Sequence, residues 1–231
     1  MNSNIKRAQK TLALIKFFSQ EAHYLSFKSG HSILRTPHFF RTCEDVGRGD
    51  RNESCIGYWD KELGHEMPDI VLDGKPFEME DVKSCLMYPV HEQHDAWLQS
   101  WCLIDSHNDF EESLQRMVDE FGSYFVVLPA ENIGKYAKLL NAASGLPVRY
   151  GLVQYSNNPL ERSLTVKNSD LGYQKEFRFY LGECKKDEMR DKKIQLEGLE
   201  DILAAANSLK MMSPSGKTYY FSLGGKKVVI T

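Results

Sequence analysis

Gln174-Lys175-Glu176-Phe177-Arg178-Phe179-Tyr180-Leu181-Gly182 decides how this chain is read. Phe177, Phe179 and Leu181 alternate with Glu176, Arg178 and Tyr180, which is the period-two pattern of a strand with two unlike faces. The aromatic face points to a core. On the other face Glu176 and Arg178 stand side by side, as the wall of a polar cleft, a structural ion pair or a solvated surface. A buried pair needs neighbours to satisfy it, because desolvation offsets much of the attraction.

Upstream, strands and helices mix without a strict β-α-β rhythm. Thr11 to Phe18 is an apolar run with Lys16 inside it, a first strand or a short helix. Gln20 to Ser29 reads as a helix stopped by Gly30, and His31 to Arg35 as a short strand. Thr36-Pro37 has the form of a helix start, a capping hydroxyl followed by proline in the first turn. Trp97 to Ile104 and Ser123 to Leu128 read as strands, and Asp109 to Phe121 and Ala130 to Ala143 as helices. Val148 to Tyr155 is taken as one strand and Leu199 to Leu209 as a short helix. Thr218 to Leu223 and Lys226 to Ile230 form a closing hairpin. Asp73-Gly74, between Asp69 and Glu78, signals another, because Asp-Gly accepts the positive φ angles of a type I′ turn. That hairpin at 69–78 sits in a charged region, 60–95, which reads as an insertion. The expected architecture is a single α+β domain over 1–231, with a mixed, split or continuous sheet flanked by short helices.

Composition narrows the function classes. The 231 residues are 42% hydrophobic and 26% charged, enough for a sizeable core. A net charge of −3 gives no indication of nucleic acid as partner. Five cysteines, Cys43, Cys55, Cys85, Cys102 and Cys184, occur without a C-x-x-C pair and read as reduced thiols in a cytoplasmic protein. No apolar run approaches the ~20 residues that span a bilayer.

The densest polar segment is Phe40-Arg41-Thr42-Cys43-Glu44-Asp45-Val46-Gly47-Arg48-Gly49-Asp50-Arg51-Asn52-Glu53. Arg41 or Arg48 can take a phosphate or carboxylate with the bidentate geometry lysine lacks. Equally, Glu44, Asp50 and Glu53 can order the loop by accepting from backbone amides and from Arg41. Arg48-Gly49-Asp50 spells an integrin-binding tripeptide, a coincidence in a chain read as intracellular. His91-Glu92-Gln93-His94 has zinc-ligand spacing without a third ligand nearby, and metal is not expected. Ser106-His107 and Cys102 form no hydrolase signature, and neither G-x-x-x-x-G-K-[ST] nor G-x-G-x-x-G occurs.

The order of several weak motifs carries a resemblance. Lys16-Phe17 is followed by Gly30 to Arg41, Arg48-Gly49-Asp50-Arg51-Asn52-Glu53, Ser100-Trp101-Cys102, Tyr155, Lys167 and Tyr173-Gln174-Lys175-Glu176-Phe177-Arg178. Over roughly Lys16 to Phe179 this resembles an uncharacterised prokaryotic domain family common in prophages and defence loci, similar to AbiGi-type abortive-infection proteins. That family has a D-x-x-E loop, an S-W strand and a late K…Y-x-x-E-x-R strand. The chain departs from it at Gln174, where a second acid is frequent, and at Phe110, where an aromatic-rich segment is frequent. The layout is also similar to that of ADP-ribosyltransferases, which bind NAD in the cleft of a split sheet. The resemblance implies Glu176 as the catalytic carboxylate that stabilises a cation-like transition state. It implies Lys16, Arg41, Arg48, Tyr173 and Arg178 as cofactor-binding residues, with Lys16 or Arg41 near the phosphates and Tyr173 stacked on a ring. Glu44, Asp50, Glu53, Ser100 and Trp101 would form the structural or substrate loop and its supporting strand.

Two functions follow as expectations. One is a defence-associated enzyme using NAD as substrate; the other is an antitoxin-like, protein-binding module in which the charged loop and Glu176–Arg178 are structural. A concave pocket joining Glu176, Arg178 and the loop from Arg41 to Glu53 would mark the enzyme. Charges buried in pairs, with an apolar patch near Trp59 or Asp73-Gly74, would mark the binding module. A protein partner or target is expected in both, and oligomeric state is left open.

Overall fold

The apolar run from Thr11 becomes β1, Thr11–Phe18, and is buried on both faces in the computed structural model, which describes residues 11–44, 49–50, 52–88, 95–105, 113–161, 163–213 and 216–231. The chain continues through α1 (Glu21–Lys28), β2 (His31–Leu34), α2 (Pro37–Thr42), β3 (Gly57–Asp60), β4 (Val71–Leu72), β5 (Lys75–Pro76) and β6 (Ser84–Met87). Then come β7 (Asp95–Asp105), α3 (Ser113–Phe121), β8 (Tyr124–Pro129), α4 (Ile133–Ser144), β9 (Val148–Leu152), β10 (Gln154–Ser156), β11 (Val166–Asn168) and β12 (Glu176–Cys184). β13 (Lys192–Gln195), β14 (Ser208–Met212), β15 (Thr218–Ser222) and β16 (Val229–Ile230) complete an α+β fold.

The main sheet has the order β8-β1-β7-β12-β9, and every neighbouring pair in it is antiparallel. On its first face Leu14, Trp101, Leu103, Val126, Leu128, Phe177, Phe179 and Leu181 pack with Tyr24 and Phe27 of α1 and Tyr136 and Leu140 of α4. On the second face Ile15, Phe17, Ile104, Phe125 and Val127 meet Leu114, Met117 and Val118 of α3 and Tyr219 and Phe221 of β15. That second core stops at β7. Beyond it the same face is polar: Glu176 and Arg178 on β12, and Ser100 on β7.

Local signals explain the frame. Thr36 caps α2, its Oγ1 accepting from Phe39 N–H at 3.1 Å, with Pro37 in the first turn. Asp73 and Gly74 have φ of 52° and 76°, which gives the expected hairpin between β4 and β5. Gly122 ends α3 at φ 108°, where an added Cβ would lie 2.2 Å from Ser19 Cα.

Several elements differ from expectation. The mixed sheet is antiparallel throughout its five central strands; the parallel pairing among the described residues is β10 with β11. Val148 to Tyr155 divides at Val153, where the chain leaves β12 and Gln154 N–H donates to Thr165 O at 2.8 Å. Gln174 belongs to the 3-10 turn Ser169–Gln174, and Lys175 at φ 44° turns the chain before β12 begins. The helix expected over Leu199 to Leu209 is a 3-10 turn, Leu199–Asp201, followed by β14. Leu199 and Ile202 are drawn into the first core, and Ala204 bridges Val127 at the β8 edge, so tertiary packing overrides helical spacing. The expected helix residues 109–112, together with Asp45-Val46-Gly47-Arg48, Arg51, His91 to His94 and Ser106-His107, lie outside the described residues.

Candidate functional site: a buried ion network

β12 is an inner strand, so its polar face has to be covered, and three pieces of chain do this. They are the loop ending at Glu53 and Ser54, the β10–β11 pair, and the 3-10 turn before Lys175. Arg178, 1% exposed, is the hub. Its Nε donates to Glu176 Oε1, its Nη1 to Glu53 Oε1 at 2.5 Å and Leu164 O at 2.9 Å, and its Nη2 to Glu53 Oε2 at 2.7 Å and Glu176 Oε2 at 3.3 Å. A guanidinium has five N–H donors, and all five are used. Lys167 of β11 adds a second cation, 2.9 Å from Glu176 Oε2 and 3.8 Å from Glu53 Oε2, and its Nζ donates to Gln174 Oε1 at 3.3 Å. Ser100 Oγ donates to Glu176 Oε1, and Glu176 N–H donates to Tyr155 Oη at 2.9 Å. Tyr180 Oη donates to Leu164 O at 3.2 Å.

The loop is built to present Glu53. Asp50 N–H donates to Phe40 O at 2.9 Å, Asp50 Oδ1 accepts from Asn52 N–H at 3.0 Å, and Glu53 N–H donates to Asp50 O at 2.9 Å. Arg41 holds the loop from outside, its Nη1 donating to Glu53 O at 3.0 Å and its Nη2 to Lys186 O at 2.8 Å, with Asp95 at 3.5 Å. Ser54, at φ 63°, donates its hydroxyl to Asp95.

Asp50, Glu53 and Glu176 face Lys167 and Arg178, so the buried cluster carries one more acid than base. Burial by itself would raise the Glu176 carboxyl. Arg178 and Lys167 beside it, with the hydrogen bonds from Arg178 and Ser100, outweigh that and hold it well below the usual carboxylate range. Asp50 goes the other way: burial and then the Glu53 charge raise it, and Lys167, with Nζ 4.0 Å away, offsets only part. Glu176 is therefore a fixed negative charge and a poor proton acceptor. Asp50 is the member of the cluster whose ionisation burial and the neighbouring Glu53 charge oppose.

The residues singled out in the sequence divide between places. Glu176, Arg178, Asp50, Glu53 and Ser100 converge. Lys16 approaches from β1, its Nζ donating to Ser100 O at 2.8 Å and lying 5.8 Å from the Trp101 ring centroid. Trp101 is in the first core, edge-on to Phe27 and Tyr136. Tyr173 is engaged with α3: Arg116 lies over its ring at 3.5 Å and its hydroxyl donates to Glu120. Glu44 is exposed after α2, and Arg48 falls outside the described residues. Lys167, Tyr155 and Gln174 also join the network, although the sequence marks none of them as a site residue. A lysine on a three-residue strand has no local pattern to mark it as buried. Gln174 Nε2 donates to Tyr173 Oη at 3.2 Å, so a hydrogen-bonded path runs from Glu120 through Tyr173 and Gln174 to Lys167 and the network.

The β3–β6 region has the opposite character. Val71, Leu72 and Phe77 are 63%, 56% and 47% exposed, and Ile56, Leu63, Leu86 and Met87 are exposed as well. A groove of about 360 Å³ is lined by Met67, Pro68, Ile70, Val71, Pro76 and Phe77, among others. Residues 60–88 carry eight acidic and three basic side chains, and Lys83 is held by Glu62 at 2.8 Å. None of the five cysteines forms a disulfide, and among the described residues no three His, Cys, Asp or Glu side chains converge as a metal site. No helix among them is long and apolar enough to cross a membrane.

No family model matches this sequence, and comparison with curated proteins and with solved structures finds no match.

Proposed function

We propose that this chain is a protein-binding module of phage–host conflict, in which the Arg178 network holds the fold and the acidic, apolar insertion over 60–88 docks the partner. One contrast supports this reading. Arg178 spends every donor, and Glu53 and Glu176 both carboxylate oxygens, inside the protein, while exposed large apolar side chains collect around the hairpin at Asp73-Gly74. Monomers rarely leave such patches without use. The acidic rim suits a partner segment that is both basic and apolar, with an on-rate that falls as salt screens the attraction. The test is capture of a partner by wild type and by a Leu72→Glu/Phe77→Glu variant, followed by binding of the purified pair at two salt concentrations. Loss of binding in the variant, with the fold retained, supports the docking surface; equal binding by both proteins removes it.

A second reading, NAD cleavage or ADP-ribosyl transfer, draws on Ser100. Its half-buried hydroxyl donates to a carboxylate that two cations keep ionised. A ribose hydroxyl taking the place of the Ser100 hydroxyl would meet a fixed negative charge suited to a cation-like transition state. NAD turnover is measured with and without host lysate for wild type, Glu176→Gln and Ser100→Ala. Turnover abolished by Glu176→Gln in a folded protein supports an enzyme, and a wild type with none ends that reading.

A further inference from the structure

We infer that the free edge of β9 is the pairing site for a second copy of this chain, extending the five-stranded sheet across a two-fold axis at Tyr150. The two edges of the sheet differ. At the β8 edge Ala204 N–H donates to Val127 O at 2.8 Å and occupies the middle of the strand. β9 pairs with β12 alone among the described residues. Its inner ladder is bracketed by Gly182 N–H donating to Pro147 O and Val153 N–H donating to Glu176 O, both at 2.9 Å. Bonding residues alternate along an antiparallel strand, so 149 and 151 face β12 and Val148, Tyr150 and Leu152 turn their N–H and C=O groups outward.

The outward sequence is self-complementary. With the axis at Tyr150, Val148 lies opposite Leu152 of the second copy, Tyr150 opposite Tyr150, and Leu152 opposite Val148. Each of these pairs exchanges main-chain hydrogen bonds in both directions. Their side chains continue the first-face row, since Val148, Tyr150 and Leu152 stand beside Leu181, Phe179 and Phe177. Tyr150 and Leu152 are 47% and 48% exposed at present, and the Tyr150 ring already leans on Phe177 and Phe179. A second copy would cover that row with its own. On the other face Arg149 falls opposite Gly151, and nothing lies within 4 Å of a Cβ built there, so the arginine stem has room. The two arginines are then diagonal neighbours about 7–8 Å apart rather than directly opposed. Apart from Arg149, β9 lacks the charges, proline and bulge that usually keep an open edge from pairing. A two-fold pairing uses the same patch twice and closes the edge.

Light scattering on the full chain at ~100 µM, above the micromolar range of weak specific dimers, is expected to give a mass near twice 26.5 kDa. Tyr150→Pro removes the central outward N–H while the ladder bonds of 149 and 151 remain, and it is expected to be monomeric with an unchanged circular dichroism spectrum. Arg149→Cys/Gly151→Cys places thiols opposite one another across the axis and is expected to give a covalent dimer on mild oxidation that wild type does not. A monomeric wild type overturns the proposal. So does a dimer that persists in folded Tyr150→Pro, or one in which the double cysteine variant does not cross-link; either would place the interface elsewhere.

Discussion

Arg178 and Glu53 meet as a two-pronged ion pair, Nη1 on Oε1 and Nη2 on Oε2, across 125 residues of sequence. Glu53 thereby fastens an irregular loop to the middle of a sheet, and Arg178 gains the partner that permits its burial. Removing one member leaves the other buried with its two-pronged partner gone, Arg178 keeping Glu176 and Glu53 keeping only Lys167 at 3.8 Å. Glu53→Gln is expected to lower unfolding stability by about 3–5 kcal/mol, measured as a shift in urea midpoint. Arg178→Met should cost a comparable amount, and the double variant less than the sum of the two. Strict additivity in that cycle would mean the pair is uncoupled.

The resemblance implies a cofactor ring for Tyr173; in the structure its hydroxyl links Glu120 of α3 to Gln174, and Gln174 Oε1 receives Lys167. Tyr173→Phe deletes that junction and leaves Gln174 Nε2 short of an acceptor. A loss of about 1–3 kcal/mol is expected, the cost of unmaking a part-buried hydrogen bond. Hydrogen exchange should show faster opening of α3 and of the turn from Ser169 to Gln174, with β1 unaffected. Unchanged protection there would separate Tyr173 from the docking of α3.

The cysteines test the packing independently. Burial pushes the Cys102 thiol up to about 12, with the Glu176 charge adding to it, and burial does the same for Cys184, with Asp95 nearby. Cys55 is fully buried and Cys184 is buried, while Cys43, Cys85 and Cys102 are partly accessible. At pH 8 a thiol near 12 holds roughly a thousandfold less thiolate than an ordinary one. Ellman's reagent is therefore expected to label Cys43 and Cys85 readily in the native protein, Cys102 slowly because so little of it is thiolate, and Cys55 and Cys184 only on unfolding. Rapid labelling of Cys102 would show that its side of β7 is open to reagents.

The sequence made the frame of this fold legible and half of the site. Period-two and apolar runs placed β7, β8 and β12 and left β1 open between strand and short helix, and capping and turn chemistry placed α2 and the hairpin at Asp73-Gly74, because those signals act within a few residues. The alternation at Glu176 and Arg178 showed that one face of β12 is polar. It did not show what covers that face. Glu53 and Lys167 come from segments without regular pattern, and their positions follow from long-range partners. Ala204 escaped for a similar reason: an apolar run compatible with a helix is claimed instead by the open edge of β8.

Acid and base arms of the pH profile should separate the two unusual carboxylates. Glu176 is lower in the folded protein than in the unfolded chain, so its stabilising effect is fully present above about pH 4.3, its unfolded value. It is lost as pH falls through the lower folded value. Asp50 is higher in the folded protein, so the unfolded chain releases its proton first. Its favourable contribution is present below about pH 3.9 and is lost as pH rises through the folded value. At neutral pH Glu176→Gln should therefore destabilise, and the gap from wild type should narrow in acid. Asp50→Asn keeps the acceptor for Asn52 N–H and removes the charge facing Glu53. That variant should be at least as stable as wild type at pH 7 and lose its advantage near pH 4. Urea midpoints across pH 3–8 check both. Destabilisation by Asp50→Asn at pH 7 would mean that Lys167 needs the Asp50 charge, and that the network is balanced with three anions rather than crowded by the third.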